Sequence, residues 1–133
     1  MNWRIRSTAG NDSRSATDDC LKRTSYVAES ARAESPGGAA HASDIPYFFN
    51  TVAAKYGEKL TAQDAAAAQA VQRYIANFAR TFDPNGKGLP AWPVDDPATR
   101  PVMDFSADGV PRGGADPLRP QLDLIEQLSN AAP

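Results

Sequence analysis

His41 is the only histidine of the chain, and it follows the small residues Gly37-Gly38-Ala39-Ala40. An imidazole accepts and returns protons readily, so it is the natural candidate for general acid–base chemistry. Without a nucleophile to activate, a histidine in a Gly/Ala-rich loop reads as a surface side chain. The other reactive groups offer less. Asp95-Asp96 and Asp18-Asp19 are adjacent carboxylates in polar stretches, where acids are ordinarily solvated. Cys20 is the only cysteine, which rules out an internal disulfide, and nothing around it argues against an inert thiol. One histidine and one cysteine far apart make a zinc site of the usual ligand type improbable. The chain also lacks a G-x-S-x-G elbow, a G-x-x-x-x-G-K-S/T phosphate loop and a dinucleotide fingerprint following a strand.

The elements that must position His41 follow from local pattern. Residues 1–23 are polar and without periodicity, and are expected to be disordered and unassigned. Ser25-Tyr26-Val27-Ala28 is a short β-prone run, ended by a charged and Gly/Pro-rich loop that carries His41. Asp44 and Pro46 open a helix bearing Tyr47, Phe48, Phe49, Val52 and Tyr56, which Gly57 should end. The clearest helix is 62–80. Thr61 is its N-cap, Asp64 stands at N3, an alanine block follows, and Val71, Tyr74, Ile75 and Phe78 form a stripe at helical spacing.

Asp83-Pro84-Asn85-Gly86 breaks that helix. Val102-Met103-Asp104-Phe105 and an Asp108-Gly109 turn predict a small hairpin, and Gly113-Gly114 a flexible joint. Asp116 and Pro117 open a last helix, with Leu118, Leu122, Ile125 and Leu128 on its expected buried side. A single strand cannot make a sheet, so the apolar stripes lack a partner within the chain and suggest a piece of something larger.

Composition limits the partners. The chain has 133 residues, a formal net charge of -2 and a pI near 5.3, so no broad cationic surface is available for nucleic acid. Its apolar runs are too short to span a bilayer, and no membrane partner is expected. Met1-Asn2-Trp3-Arg4-Ile5-Arg6 has no apolar segment behind it, so no signal peptide is visible and the compartment stays unassigned.

The order of motifs resembles one family. Gly38-Ala39-Ala40-His41, followed by Asp44-Ile45-Pro46-Tyr47-Phe48-Phe49, is similar to the histidine loop of type-B carboxylesterases, the α/β-hydrolase branch of the para-nitrobenzyl esterases and cholinesterases. Tyr74-Ile75-Ala76-Asn77-Phe78-Ala79-Arg80-Thr81 resembles that family's penultimate helix. Asp83-Pro84-Asn85-Gly86, Leu89-Pro90-Ala91-Trp92-Pro93 and Met103-Asp104-Phe105 resemble the turn, Trp-Pro segment and small strand beyond it. The likeness runs from about residue 24 to 128. Two positions depart from it: Phe82, where the family has glycine and a positive φ would strain a phenylalanine, and Asp95, where an aromatic is common.

The resemblance implies an α/β fold, namely a C-terminal fragment of an α/β-hydrolase. It would comprise the last sheet strand, the histidine loop, two main helices and a small hairpin within residues 24–133, incomplete on its own. It also implies a serine esterase acting on small carboxylic esters, with no cofactor and no metal. His41 would be the catalytic histidine, third in the chain order Ser, acid, His. The serine, the acid and the oxyanion glycines would lie upstream of residue 24, and residues 1–23 contain none of them. A truncated remnant is therefore expected. The alternatives are a stand-alone helical interaction protein and a split esterase completed by an upstream half.

Overall fold

A computed structural model describes residues 3–6 and 19–131. Four strands form one sheet in the order β1-β2-β3-β4: β1 Trp3–Arg6, β2 Asp19–Thr24, β3 Pro101–Phe105 and β4 Pro111–Ala115. The outer pairs are antiparallel, while β2 and β3 run parallel with Lys22 opposite Met103 and Thr24 opposite Phe105. The helices are α1 Ile45–Phe48, α2 Val52–Tyr56, α3 Ala62–Thr81 and α4 Arg119–Ala131. Cys20, Tyr26, Tyr47, Val52, Val71, Tyr74, Trp92, Met103 and Phe105 make a core between the sheet and α3. Tyr74, Trp92 and Phe105 meet edge to face at 5.3–5.9 Å, an arrangement that suits ring quadrupoles.

The sheet differs from expectation. Residues 1–23, expected to be disordered, hold β1 and most of β2; residues 1–2 and 7–18 of that stretch, with Asp18, lie outside the described residues. Ser25–Ala28 is not the strand but its exit. Ser25 donates a last bond to the Phe105 carbonyl at 2.9 Å, and the chain then turns into a 3-10 helix, Glu29–Glu34. A buried carboxylate draws it out of the sheet. Asp64 accepts from the Tyr26 hydroxyl at 2.6 Å and from the Glu29 amide at 3.0 Å.

The same carboxylate caps α3. Asp64 accepts from the Thr61 amide, and the Thr61 hydroxyl accepts from the Asp64 amide, a complete capping box. At the other end Phe82 stands in the left-handed region (φ 59°, ψ 16°), which glycine would adopt without strain, and its ring lies edge-on to Phe78 at 6.2 Å. The expected single helix over 45–56 is two. Asn50 takes a positive φ of 54°, and the Thr51 amide bonds back to the Pro46 carbonyl at 2.8 Å, a Schellman-type stop. Gln72 of α3 donates to the freed carbonyls of Tyr47 and Phe48 at 2.7 and 2.6 Å, so the break is also a docking point.

Gly113-Gly114 is not a joint. Both lie in β4, paired with Met103 and Val102. A Cβ on Gly113 would meet the Ala91 carbonyl oxygen at 2.6 Å and Pro93 at 2.9 Å, so glycine is required by the close pass of the Trp-Pro segment. The last helix has its apolar stripe at the expected spacing, but Leu118, Leu122, Ile125 and Leu128 face solvent. No described element covers them.

Two measurements test these readings. In denaturant unfolding, Gly113→Ala should lose about 1–3 kcal/mol, while Gly114→Ala, with nothing within 4 Å of the added carbon, should stay within about 0.5 kcal/mol. Equal losses would exclude the close approach. The second concerns acid. Burial alone would raise the Asp64 pKa, but the bonds from Tyr26, Thr61 and Glu29 together outweigh it and hold the carboxyl below its ordinary value. A depressed folded value stabilises above the unfolded pKa of about 3.9 and is lost as pH falls through the folded one. Asp96 and Asp108, also depressed by hydrogen bonds, add to the same trend. Unfolding midpoints should therefore drop below about pH 4, and drop less in Asp64→Asn.

Candidate active site: the histidine loop

Strand β2 delivers the chain to the loop, and α1 receives it. Between them the 3-10 helix closes at Ser35, whose carbonyl accepts from the Gly38 amide at 2.9 Å, and Gly38 takes a φ of 88° that favours glycine. His41 then opens a compact turn. Ser43 donates to the Ala40 carbonyl and Ile45 to the Ala42 carbonyl, each at 3.2 Å. Ala42 has a φ of 62°, and an L-residue held there carries about 1–2 kcal/mol of strain. Such a conformation persists only where its surroundings impose it.

His41 is exposed, at the junction of two cavities. One, of about 260 Å³, is walled by Thr24, Ala39, Ala40, Ser43 and Asp44 besides the imidazole. The other, of about 420 Å³, reaches Tyr26, Ala31, Ser35, Tyr47 and Tyr56. An exposed ring beside space for a small molecule has the access that proton transfer to a bound substrate needs.

A buried ion pair underlies the loop. Lys22 of β2 is fully buried, and its Nζ lies 2.6 Å from Asp44 Oδ2 and 3.8 Å above the Phe48 ring. Burial pushes the Lys22 pKa down, against the raising effect of Asp44. Asp44 is the N-cap residue of α1, yet its carboxylate makes no cap; it reaches to the strand instead. Burial likewise raises the Tyr47 phenol.

The other sequence candidates resolve into structural roles. Asp95 pairs with Arg100 at 2.8 Å. Asp96 accepts from the Ala98 amide and the Thr99 hydroxyl in a surface turn. They hold the segment between Trp92 and β3. Cys20 is buried in the core. Among the described residues no group of three or more His, Cys, Asp and Glu side chains could hold a metal ion, and no helix is long and apolar enough to cross a membrane. Sequence pattern does not single out Lys22, because it falls in a polar stretch without periodicity. The available signal was its alternation with Cys20, both buried on one face of β2.

Comparison with known proteins bears on this arrangement. A model of the carboxylesterase family matches residues 12–118. The chain is 36% identical to cocaine esterase of Homo sapiens over 56 residues, which is 42% of this chain and 10% of that protein. It is 41% identical to carboxylesterase 5A of Canis lupus familiaris over 58 residues, 41% of this chain and 10% of the relative. To acylcarnitine hydrolase of Mus musculus it is 42% identical over 58 residues, again 42% and 10%. It thus spans about a tenth of the length of these relatives. Among solved structures it resembles the carboxylesterase EST55 of Geobacillus stearothermophilus, with a TM-score of 0.51 and 27% identity over 65% of this chain and 18% of that one. Strand, histidine loop, helix pair and closing hairpin are therefore a small α/β piece of an α/β-hydrolase fold, and the chain belongs to the carboxylesterase family.

Proposed function

We propose that His41 is the proton-transferring base of a Ser–acid–His triad in a carboxylic ester hydrolase, and that serine, acid and oxyanion donors come from outside these 133 residues. The observation that supports this best is the exposed imidazole on a strained, anchored turn between two cavities. In such a triad a serine attacks the ester carbonyl, the imidazole takes its proton and later gives it to the leaving alcohol, and the carboxylate orients the ring. Backbone amides stabilise the oxyanion. This chain supplies the imidazole and the loop that holds it.

The relatives' names cover cocaine and acylcarnitine, so the substrate class proposed here is small carboxylic esters and no narrower. By itself the chain is proposed to be an inactive remnant, because imidazole without nucleophile and oxyanion hole loses most of the acceleration. A split esterase completed by an upstream half would use the same residue in the same role. The exposed α4 stripe is what favours the second reading, a small interaction protein that keeps the helices of its family.

The test is para-nitrophenyl ester hydrolysis. The chain alone should show no turnover above its His41→Ala variant. Added in trans to the serine- and acid-bearing portion of a carboxylesterase, it should raise turnover by at least about 100-fold over the variant. Equal rates for the chain and its His41→Ala variant in the trans assay would exclude the catalytic role.

A further inference from the structure

The Lys22–Asp44 pair is expensive where it stands. Both side chains are withdrawn from water, at 1% and 10% exposure. A buried pair of this kind often stabilises a fold no better than apolar residues of the same volume, because desolvation offsets the attraction. Fold stability is therefore a weak account of why the strand carries a lysine there. The geometry supplies a better one.

Asp44 closes the turn that His41 opens, and two backbone hydrogen bonds across the left-handed Ala42 tie residues 40–45 together. The position of the imidazole is thus tied to the position of Asp44. Asp44 gives up the ordinary use of its carboxylate, capping its own helix, and spends it on Lys22. Lys22 in turn is paired within the sheet, opposite Met103 on one side and Trp3 on the other. Phe48 of α1 lies against the same ammonium. Helix and turn are both registered to one atom on β2.

We propose that the Lys22–Asp44 pair is a positioning device for His41, which holds the histidine turn at a set distance from strand β2 rather than stabilising the fold as a whole. The proposal rests on the reading of His41 as the catalytic base. Asp44 and Thr24 share a cavity wall with the imidazole, so a turn released from Lys22 would move the ring relative to that cavity.

The experiment compares the wild-type chain with Lys22→Met/Asp44→Leu, which replaces the pair by apolar groups of similar size and removes no helix cap. A second variant, Lys22→Gln/Asp44→Asn, keeps a neutral hydrogen bond. The double apolar variant should melt at the wild-type temperature or above it. Its His41 backbone amide should lose ¹⁵N heteronuclear NOE while the amides of α3 keep theirs, and the Gln/Asn variant should restore much of the His41 value. In the trans assay the same apolar variant should lower kcat about 10- to 100-fold, with little change in KM.

An unchanged His41 NOE in the folded apolar variant would overturn the proposal. So would failure of that variant to fold, since the pair would then serve stability. Loss of the wild-type, His41-dependent turnover would instead remove the catalytic reading, and the NMR comparison would still decide whether the pair orders the turn.

Discussion

Asp64 is a carboxylate with no solvent exposure, and the architecture converges on it. Removing an ionised carboxylate from water is costly unless donors replace the water lost. Here they come from three directions: the Tyr26 hydroxyl, the Glu29 amide, and the amide and hydroxyl of Thr61. Charge-assisted bonds of this kind are stronger than neutral ones. Each also settles a separate structural question. Thr61 starts α3, Tyr26 ends the run of the chain along the sheet, and Glu29 sets the origin of the histidine loop. The negative charge at the first turn of α3 also suits the helix dipole.

The histidine loop is consequently held at two buried carboxylates. Asp64 fixes the stretch where the chain leaves β2, and Asp44 fixes the stretch where it enters α1. What lies between is rich in small residues and largely exposed; beyond Arg32, which donates to the Ala107 carbonyl at 3.2 Å, its backbone hydrogen bonds are local turns. Order at His41 therefore comes from the ends of the loop rather than from packing along it. This division leaves the His41 ring exposed while its backbone is held from both ends. It also explains how a non-glycine residue tolerates a positive φ at position 42.

How much of this the sequence revealed depends on whether the deciding interaction was local. Thr61 and Asp64 lie three residues apart, so α3 and its cap could be read directly. Gly57, the Asp108-Gly109 turn and the strain at Phe82 were legible for the same reason. β2 was not, since its core position is filled by a lysine whose partner is 22 residues away. A polar residue at an inward position breaks the alternation that marks a strand. Asn50-Thr51 carries a stop signal weaker than glycine, which the aromatic run before it and the apolar Val52 and Tyr56 beyond it mask. Gly113 misled because a close approach by Ala91 and Pro93 has the same residue signature as flexibility. His41 itself was legible only through its neighbours' resemblance to a family, because its geometry depends on Lys22 and Asp64, neither of which sits near it in sequence.

The uneven covering of the fold follows from the same layout. One sheet face is sealed by α3 through Ala67, Ala68, Val71 and Tyr74, and the ring cluster of Tyr74, Trp92 and Phe105 locks the hairpin to it. Helix α4 has an equally regular stripe with nothing described against it. Fully burying a large aliphatic side chain is worth about 1.5–3 kcal/mol, so leaving Leu118, Leu122, Ile125 and Leu128 about half exposed forgoes roughly 3–6 kcal/mol in all. The histidine turn is spared that deficit. Its anchors, Lys22 on β2 and Asp64 on α3, belong to the sealed half, so the geometry around His41 does not depend on whether α4 finds a partner.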